Sequence, residues 1–191
     1  VGSEDAIHGG RRVCIWVDES EYGVASEIES LSARFREVAQ ERAGMKAPST
    51  QSFASRPYRF VQIQGVAKSH SFLIPRHSSE ARPYLPIAIY DSSTIVGDSA
   101  FAIYDAPLCN LALFSSRLHL VWVGAVCGKI KTDFRYSNTI GWNTFPVPLL
   151  TEQNKADLAI CAEDILLERE ASFPKSIADL YDPGAMPDNL R

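Results

Sequence analysis

The chain has 191 residues, 46% of them hydrophobic and 22% charged, a balance that fits one sizeable domain or two small ones and excludes wholesale disorder. Its longest apolar run, Leu108 to Val126, is interrupted by Asn110, Ser115, Ser116, Arg117 and His119, so no membrane span is expected. The formal net charge of −4 argues against a general nucleic-acid binder.

The distribution of charge says something different from its total. Residues 1–44 carry five basic and nine acidic side chains (net −4), residues 45–135 carry ten basic and five acidic (net +5), and residues 136–191 carry four basic and nine acidic (net −5). A positive middle between two negative ends fits a localised polyanion-binding face, because attraction follows local potential. It equally fits acidic helices flanking a sheet. Cys14, Cys109, Cys127 and Cys161 are far apart, with no C-x-x-C pair and no closely spaced histidine, so a zinc site is not expected. Each has apolar neighbours in sequence, which predicts small buried hydrophobes in a reducing compartment.

The first ten residues, VGSEDAIHGG, lack the basic start and apolar core of a signal peptide and contain no initiator Met, so a piece of a longer protein is expected. Arg12 to Val17 (RVCIWV) reads as a strand. Ala25 to Ala43 reads as an amphipathic helix, with Ser26 and Glu29 in a capping-box pattern, Ile28, Leu31, Phe35 and Val38 on one face, and Gly44 after its end. Met45 to Arg56 is a polar linker, and Arg34, Arg36, Arg42, Lys46, Arg56 and Arg59 lie in or near it. Basic groups on such a loop suit phosphate contact and are also common on any solvated loop.

Short strands follow at roughly ten-residue spacing: Tyr58–Gln64, Ser71–Pro75, Ile87–Tyr90, Thr94–Val96 and Ala100–Tyr104. Pro75, Pro83 and Pro86 end them or confine them to edges. Between the second and third lies RHSSEARPY, Arg76 to Tyr84, in which almost nothing is core material. Arginine can hold guanine O6 and N7, glutamate can accept from cytosine N4, and serine serves either role; the same composition also makes an ordinary polar hairpin loop.

Leu108 to Val126 then reads as one buried helix, with Leu111, Phe114, Leu118, Val121, Trp122 and Ala125 on one face and Leu113 and Leu120 opposite. Arg117 and His119 within it need partners, and His119 reads as a packing histidine since no nucleophile accompanies it. Gly128 breaks the helix. Lys129, Lys131 and Arg135 then alternate with Ile130, Thr132 and Phe134, which predicts a short extended segment with cations on one side, stopped by Pro146 and Pro148. From Thr151 the chain is helical, with Leu158, Ile160, Cys161, Ile165 and Leu166 as its apolar run to about Phe173-Pro174. A last short helix starts at Ser176, with Leu180, Tyr181 and Met186 as anchors. No Walker, dinucleotide-binding, G-x-S-x-G, H-E-x-x-H or EF-hand motif is present. The expected fold is therefore α+β: a mixed or antiparallel β-rich body (residues 1–107) with an amphipathic N-terminal helix, then a buried central helix and a C-terminal helical tail (residues 108–191).

The run FSSRLHLVWVGAVCGKIKTDFRYSNTIGWNTFPVP, Phe114 to Pro148, resembles the C-terminal part of MmeI-like type II restriction–modification enzymes. So do VGSEDAI at Val1, RVCIWV at Arg12, IPRHSSEARPYLPI at Ile74 and the tail IADLYDP with Met186-Pro187. The resemblance covers essentially the whole chain. It implies a target recognition domain, partial at its N-terminus, plus a C-terminal segment of a DNA adenine-N6 methyltransferase. The partners it implies are double-stranded DNA and an upstream methyltransferase core of the same chain that binds S-adenosylmethionine and flips the base. This piece alone would hold no cofactor, no metal and no catalytic residue, and Asn143-Thr144-Phe145-Pro146 is a packing segment, not a catalytic box. Base readout falls to Arg76, His77, Ser79, Glu80, Arg82 and Tyr84. Phosphate contact falls to Arg56, Arg59, Lys68, Lys129, Lys131 and Arg135. A bacterial cytoplasmic location, near the nucleoid in use, goes with this. The competing reading is a non-catalytic protein-interaction module that docks a nuclease or partner subunit through its acidic helices.

Overall fold

The computed structural model describes residues 1–61 and 65–191. In chain order the elements are α1 (Ser3–His8), α2 (Tyr22–Glu27), α3 (Glu29–Gly44), α4 (Pro48–Gln51), β1 (His70–Pro75), β2 (His77–Ser78), β3 (Ala88–Asp91), β4 (Ala100–Tyr104), α5 (Cys109–Ser115), α6 (Arg117–Val126), β5 (Gly128–Ile130), β6 (Asp133–Arg135), a π-helical turn (Asn138–Trp142), α7 (Glu152–Ala171), α8 (Ile177–Leu180) and a 3₁₀ turn (Asp188–Leu190). Helix accounts for 43% of the chain and strand for 12%, and both sheets are antiparallel. The chain divides into two compact units, Val1–Arg12 with Gln64–Arg191, and Val13–Ile63. This division by compactness is of a different kind from the one expected at residue 108.

In the larger unit, β1 is the central strand of β3-β1-β4. Its sequence alternates between two cores. Phe72 and Ile74 enter the main one with Leu85, Ile87, Leu111, Phe114 and Val123, while Leu73 enters a second with Ala6, Ala88, Val96 and Ala100. A strand buried on both faces must be apolar at successive positions, which is why S-F-L-I-P stands out in the sequence. The ladder ends at Pro75, opposite Ala100, where the missing N–H costs least. Helix α7 packs across α5 through Ala162, Leu158 and Leu166. Thr151 caps it in a reciprocal box with Asn154, and Ser176 and Asp179 cap α8 in the same way.

The central helix differs from expectation. It is two helices, α5 and α6, set at 55° to one another. Ser116 is extended (φ −70°, ψ 148°) and its Oγ accepts from the N–H of His119 at 3.1 Å. The second serine of F-S-S-R is thus an N-cap, and the break resets the helical phase. Leu118 and Val121, expected inward, are 67% and 64% exposed, and His119, Leu120 and Val123 turn inward instead. Arg117 is exposed and has no need of a buried partner. No single helix among the described residues is long and apolar enough to cross a membrane, although the bent α5–α6 pair matches in length and composition.

The smaller unit holds α2 to α4 around Val17, Ala25, Phe35 and Tyr58. The single helix expected over Ala25–Ala43 is broken at Ile28, which is extended (φ −80°, ψ 114°). Ser26 Oγ donates back to Tyr22 O at 2.7 Å and so does not cap Glu29, and Ile28 is exposed. Gly44 is the last helical residue and Met45 the C-cap, so the glycine does not occupy the C′ position expected of it. Arg12–Val17 is not a strand: it has strand propensity but finds no ladder partner, and Val13 is fully exposed. The described part of Tyr58–Gln64 is turn and irregular structure, and its last residues, 62–64, lie outside the described residues. Thr94–Val96 also forms no ladder. Of the cysteines, Cys109 is buried and Cys127 half-buried, but Cys14 and Cys161 are exposed, which corrects the expectation of four buried thiols.

Candidate nucleic-acid interface

Directly after Pro75 the chain leaves the first sheet and enters a second. Its strand order is β2-β6-β5. His77 lies opposite Arg135 and Ser78 opposite Phe134, while Gly128, Lys129 and Ile130 lie opposite Arg135, Phe134 and Asp133. Strand β2 comes from the RHSSEARPY stretch, and β5 and β6 come from the KIKTDFRY stretch. Two polar segments about fifty positions apart in sequence therefore form one small sheet.

The alternation of a strand decides what each face carries. Phe134 turns toward the body, where it packs against the main core, and a Cβ on Gly124 would lie 3.2 Å from its ring. Ser78, which is buried, and Lys129, which is exposed, share that face by register, and the Lys129 ammonium lies 5.2 Å from the Phe134 ring centroid. His77, Arg135, Asp133 and Ile130 occupy the opposite, exposed face. The segment expected to run extended with all its cations on one side is instead a hairpin. Lys131 sits at its two-residue tip with φ +56°, and Lys129 and Arg135 fall on opposite faces.

The RHSSEARPY residues are held by different means. Arg76 stacks its guanidinium 4.5 Å over the ring of Phe101 in β4, and its carbonyl accepts from Tyr136 N at 2.8 Å. Its Nε is buried without a hydrogen-bond partner among the described residues. The N–H of Arg82 closes a turn onto Ser79 O at 3.2 Å, and Ala81 N donates to Ser79 Oγ. Glu80 is fixed twice: its N–H donates to Asp133 Oδ1 at 3.3 Å, and its Oε2 lies 3.5 Å from Lys129 Nζ. Tyr84 faces elsewhere. It packs with Leu180, Tyr181, Met186 and Leu190, and its hydroxyl donates to Arg191 O at 2.5 Å.

The structure thus brings Arg76, His77, Ser79, Glu80 and Arg82 together with Lys129, Lys131 and Arg135. Lys68 lies before the opposite end of β1, about 20 Å of strand away. There the Asp105 carboxylate accepts from the N–H groups of Lys68, Ser69 and His70, which hold its pKa far below the usual carboxylate range. Arg56 and Arg59 belong to the smaller unit. Arg56 lies 4.7 Å over the Phe53 ring, and Arg59 pairs with Glu19 at 3.3 Å. Two residues with a part in the site, Phe101 and Asp133, are not singled out by the sequence, and Phe134 enters there only as a position alternating with the cations. A signal for Asp133 existed, since K-T-D between two short alternating runs is a turn composition.

Beneath the sheet lies an aromatic cage. His119 is fully buried; its Nδ1–H donates to Phe114 O at 3.0 Å and its Nε2 faces the Tyr136 hydroxyl at 3.4 Å. Burial lowers its pKa and raises that of Tyr136, so both are neutral. Trp142 stacks on Phe114 at 3.8 Å between ring centroids, and Phe145 packs on His119 at 4.8 Å. These contacts make the W-N-T-F-P stretch a packing segment.

A sequence profile described as "MmeI, target recognition domain" matches residues 1–149. DNA methyltransferase A of Bacillus subtilis (strain 168) is 33% identical over all 191 residues, which correspond to 22% of that protein. A solved structure of the type IIL restriction–modification enzyme MmeI in complex with DNA superimposes on 100% of this chain with a TM-score of 0.90 and 31% identity, over 25% of its own length. The chain therefore spans about a quarter or less of the proteins it matches.

Proposed function

This chain belongs to the MmeI target recognition domain family, and from that premise we propose that it reads a specific base sequence in duplex DNA on behalf of a methyltransferase core in the same polypeptide. The observation that carries the reading is the β2-β6-β5 sheet, which brings Arg76, His77, Ser79, Glu80 and Arg82 together with Lys131 and Arg135 in one part of the larger unit. Arg76, His77, Ser79, Glu80 and Arg82 present donors and acceptors of the kind that distinguish base edges. Lys131 and Arg135 supply phosphate contacts that position without specifying. Lys68, at the far end of β1, is a separate phosphate candidate of the larger unit, Arg56 and Arg59 are candidates of the smaller unit by itself, and Tyr84 serves the site by anchoring the loop to the tail.

The core would transfer a methyl group from S-adenosylmethionine to the N6 of an adenine flipped out of the stack. No residue of this chain is assigned to that cofactor. The cytoplasm is the compartment that fits this role.

The test uses the full-length parent protein. Glu80→Gln and Arg82→Ala are assayed for methylation and binding on a duplex library randomised at each position of the target. Each variant is expected to change the preferred base at one position, by about 1–3 kcal/mol of discrimination. Unchanged preference in both would reject the site. Absence of salt-dependent duplex binding by the parent would instead favour a protein-docking module.

A further inference from the structure

The sequence sets Lys129 among cations suited to phosphate contact, but its place in the sheet separates it from them. Its register partner is Phe134, and it shares the face turned toward the body, opposite to the face of Arg135 and His77. Its ammonium rests 5.2 Å from the Phe134 centroid and 3.5 Å from Glu80 Oε2. From the same hairpin, Asp133 Oδ1 takes the backbone N–H of Glu80 at 3.3 Å. One strand pair thus holds both the main chain and the side chain of a loop residue about fifty positions away.

The ion pair is nearly half exposed on both sides, with side-chain exposures of 44% and 44%, so it contributes little to stability. Its consequence is for binding. A lone carboxylate entering a groove walled by phosphates meets like-charge repulsion and loses its hydration. A lysine held beside one of its oxygens offsets both costs and fixes the carboxylate's direction. The second oxygen is left to accept from a base amine.

We propose that Lys129 and Asp133 are positioning residues for Glu80, so that the β5–β6 hairpin sets base preference without itself touching a base. This rests on the reading that Glu80 faces a base edge, and the experiment separates the two claims. In the full-length parent, Lys129→Met, Lys129→Arg, Glu80→Gln and the Lys129→Met/Glu80→Gln double variant are compared. The readouts are base preference at the Glu80-dependent position and the slope of log affinity against log salt. Lys129→Met is expected to lower discrimination at that position about 3–5-fold, the scale of one exposed ion pair, with an unchanged salt slope. Lys129→Arg should retain the preference, and Lys129→Met should add nothing in the Glu80→Gln background. An even loss of affinity on all duplexes, with a slope shallower by about 0.9 and additive effects, makes Lys129 a phosphate contact and overturns the proposal. A Glu80→Gln variant that keeps its base preference removes the underlying reading, and the positioning role with it.

Discussion

Lys131 holds a left-handed backbone at the tip of the hairpin (φ +56°), a conformation that costs a non-glycine residue about 1 kcal/mol. Keeping a lysine there trades stability for a charge at the most projecting point of the sheet. Lys131→Gly should therefore raise stability by up to about 1 kcal/mol in urea denaturation, while Lys131→Ala should not. Both should flatten the salt dependence of DNA binding equally, by about 0.9 in slope. His119 offers a second test. Burial holds its folded pKa below the unfolded value of about 6.5, so the unfolded state takes up a proton first as pH falls. The stability tied to the neutral ring is complete above about pH 6.5 and is lost as pH drops toward the folded pKa. Unfolding measured between pH 7 and pH 5 should show a steeper loss for the wild type than for His119→Gln. Identical pH dependence would remove His119 as the source. At this scale the sequence was informative about chemistry and silent about pairing. R-H-S-S-E-A-R announces a polar reading surface, but nothing in the chain links Glu80 to Lys129, because contact between distant segments is decided by strand order.

Among the elements, those with two independent signals were legible. Strand β1 has an apolar run and a terminating proline, and α7 has a cap and a periodic stripe; both were placed within a few residues. Elements inferred from periodicity alone were misjudged where a single extended residue interrupts them. At Ser116 and Ile28 the helical spacing continues in the sequence while the backbone turns, so a wheel drawn straight through assigns Leu118, Val121 and Ile28 to the wrong side. Strand propensity without a partner misled at Arg12–Val17. The Ser116 cap is directly testable: Ser116→Ala should cost about 1 kcal/mol, measured by chemical denaturation, whereas Ser115→Ala, which removes a buried hydroxyl without a partner among the described residues, should cost less.

For the whole molecule, the match to the family profile ends at residue 149, but the packing continues beyond it. Ala162 and Leu180 are essentially fully buried, Arg169 Nη1 donates to Ile87 O at 2.7 Å, and the Tyr84 hydroxyl meets the last carbonyl. The acidic tail is thus part of the fold of the larger unit, and six of its nine acidic residues lie on α7, whose inner face closes the core. Removal of residues 150–191 should abolish cooperative thermal unfolding followed by circular dichroism, since it uncovers apolar surface on α5 and around Ile87. A truncated chain that melts sharply near the intact temperature would show the tail to be dispensable. The charge pattern of the last two stretches follows the same arrangement: the positive stretch supplies all three strands of the β2-β6-β5 sheet, and the negative C-terminal stretch supplies the covering helix.

The strand order β2-β6-β5 also bears on how specificity could be moved from one relative to another. The proposed reading surface is not one continuous segment. A transplant of residues 76–84 alone would seat a foreign loop on a native hairpin, with the wrong neighbours for its side chains. On the proposed reading, the unit of recognition is a discontinuous pair, residues 76–84 and 128–135, and a chimaera should inherit a donor's preference only when both halves travel together.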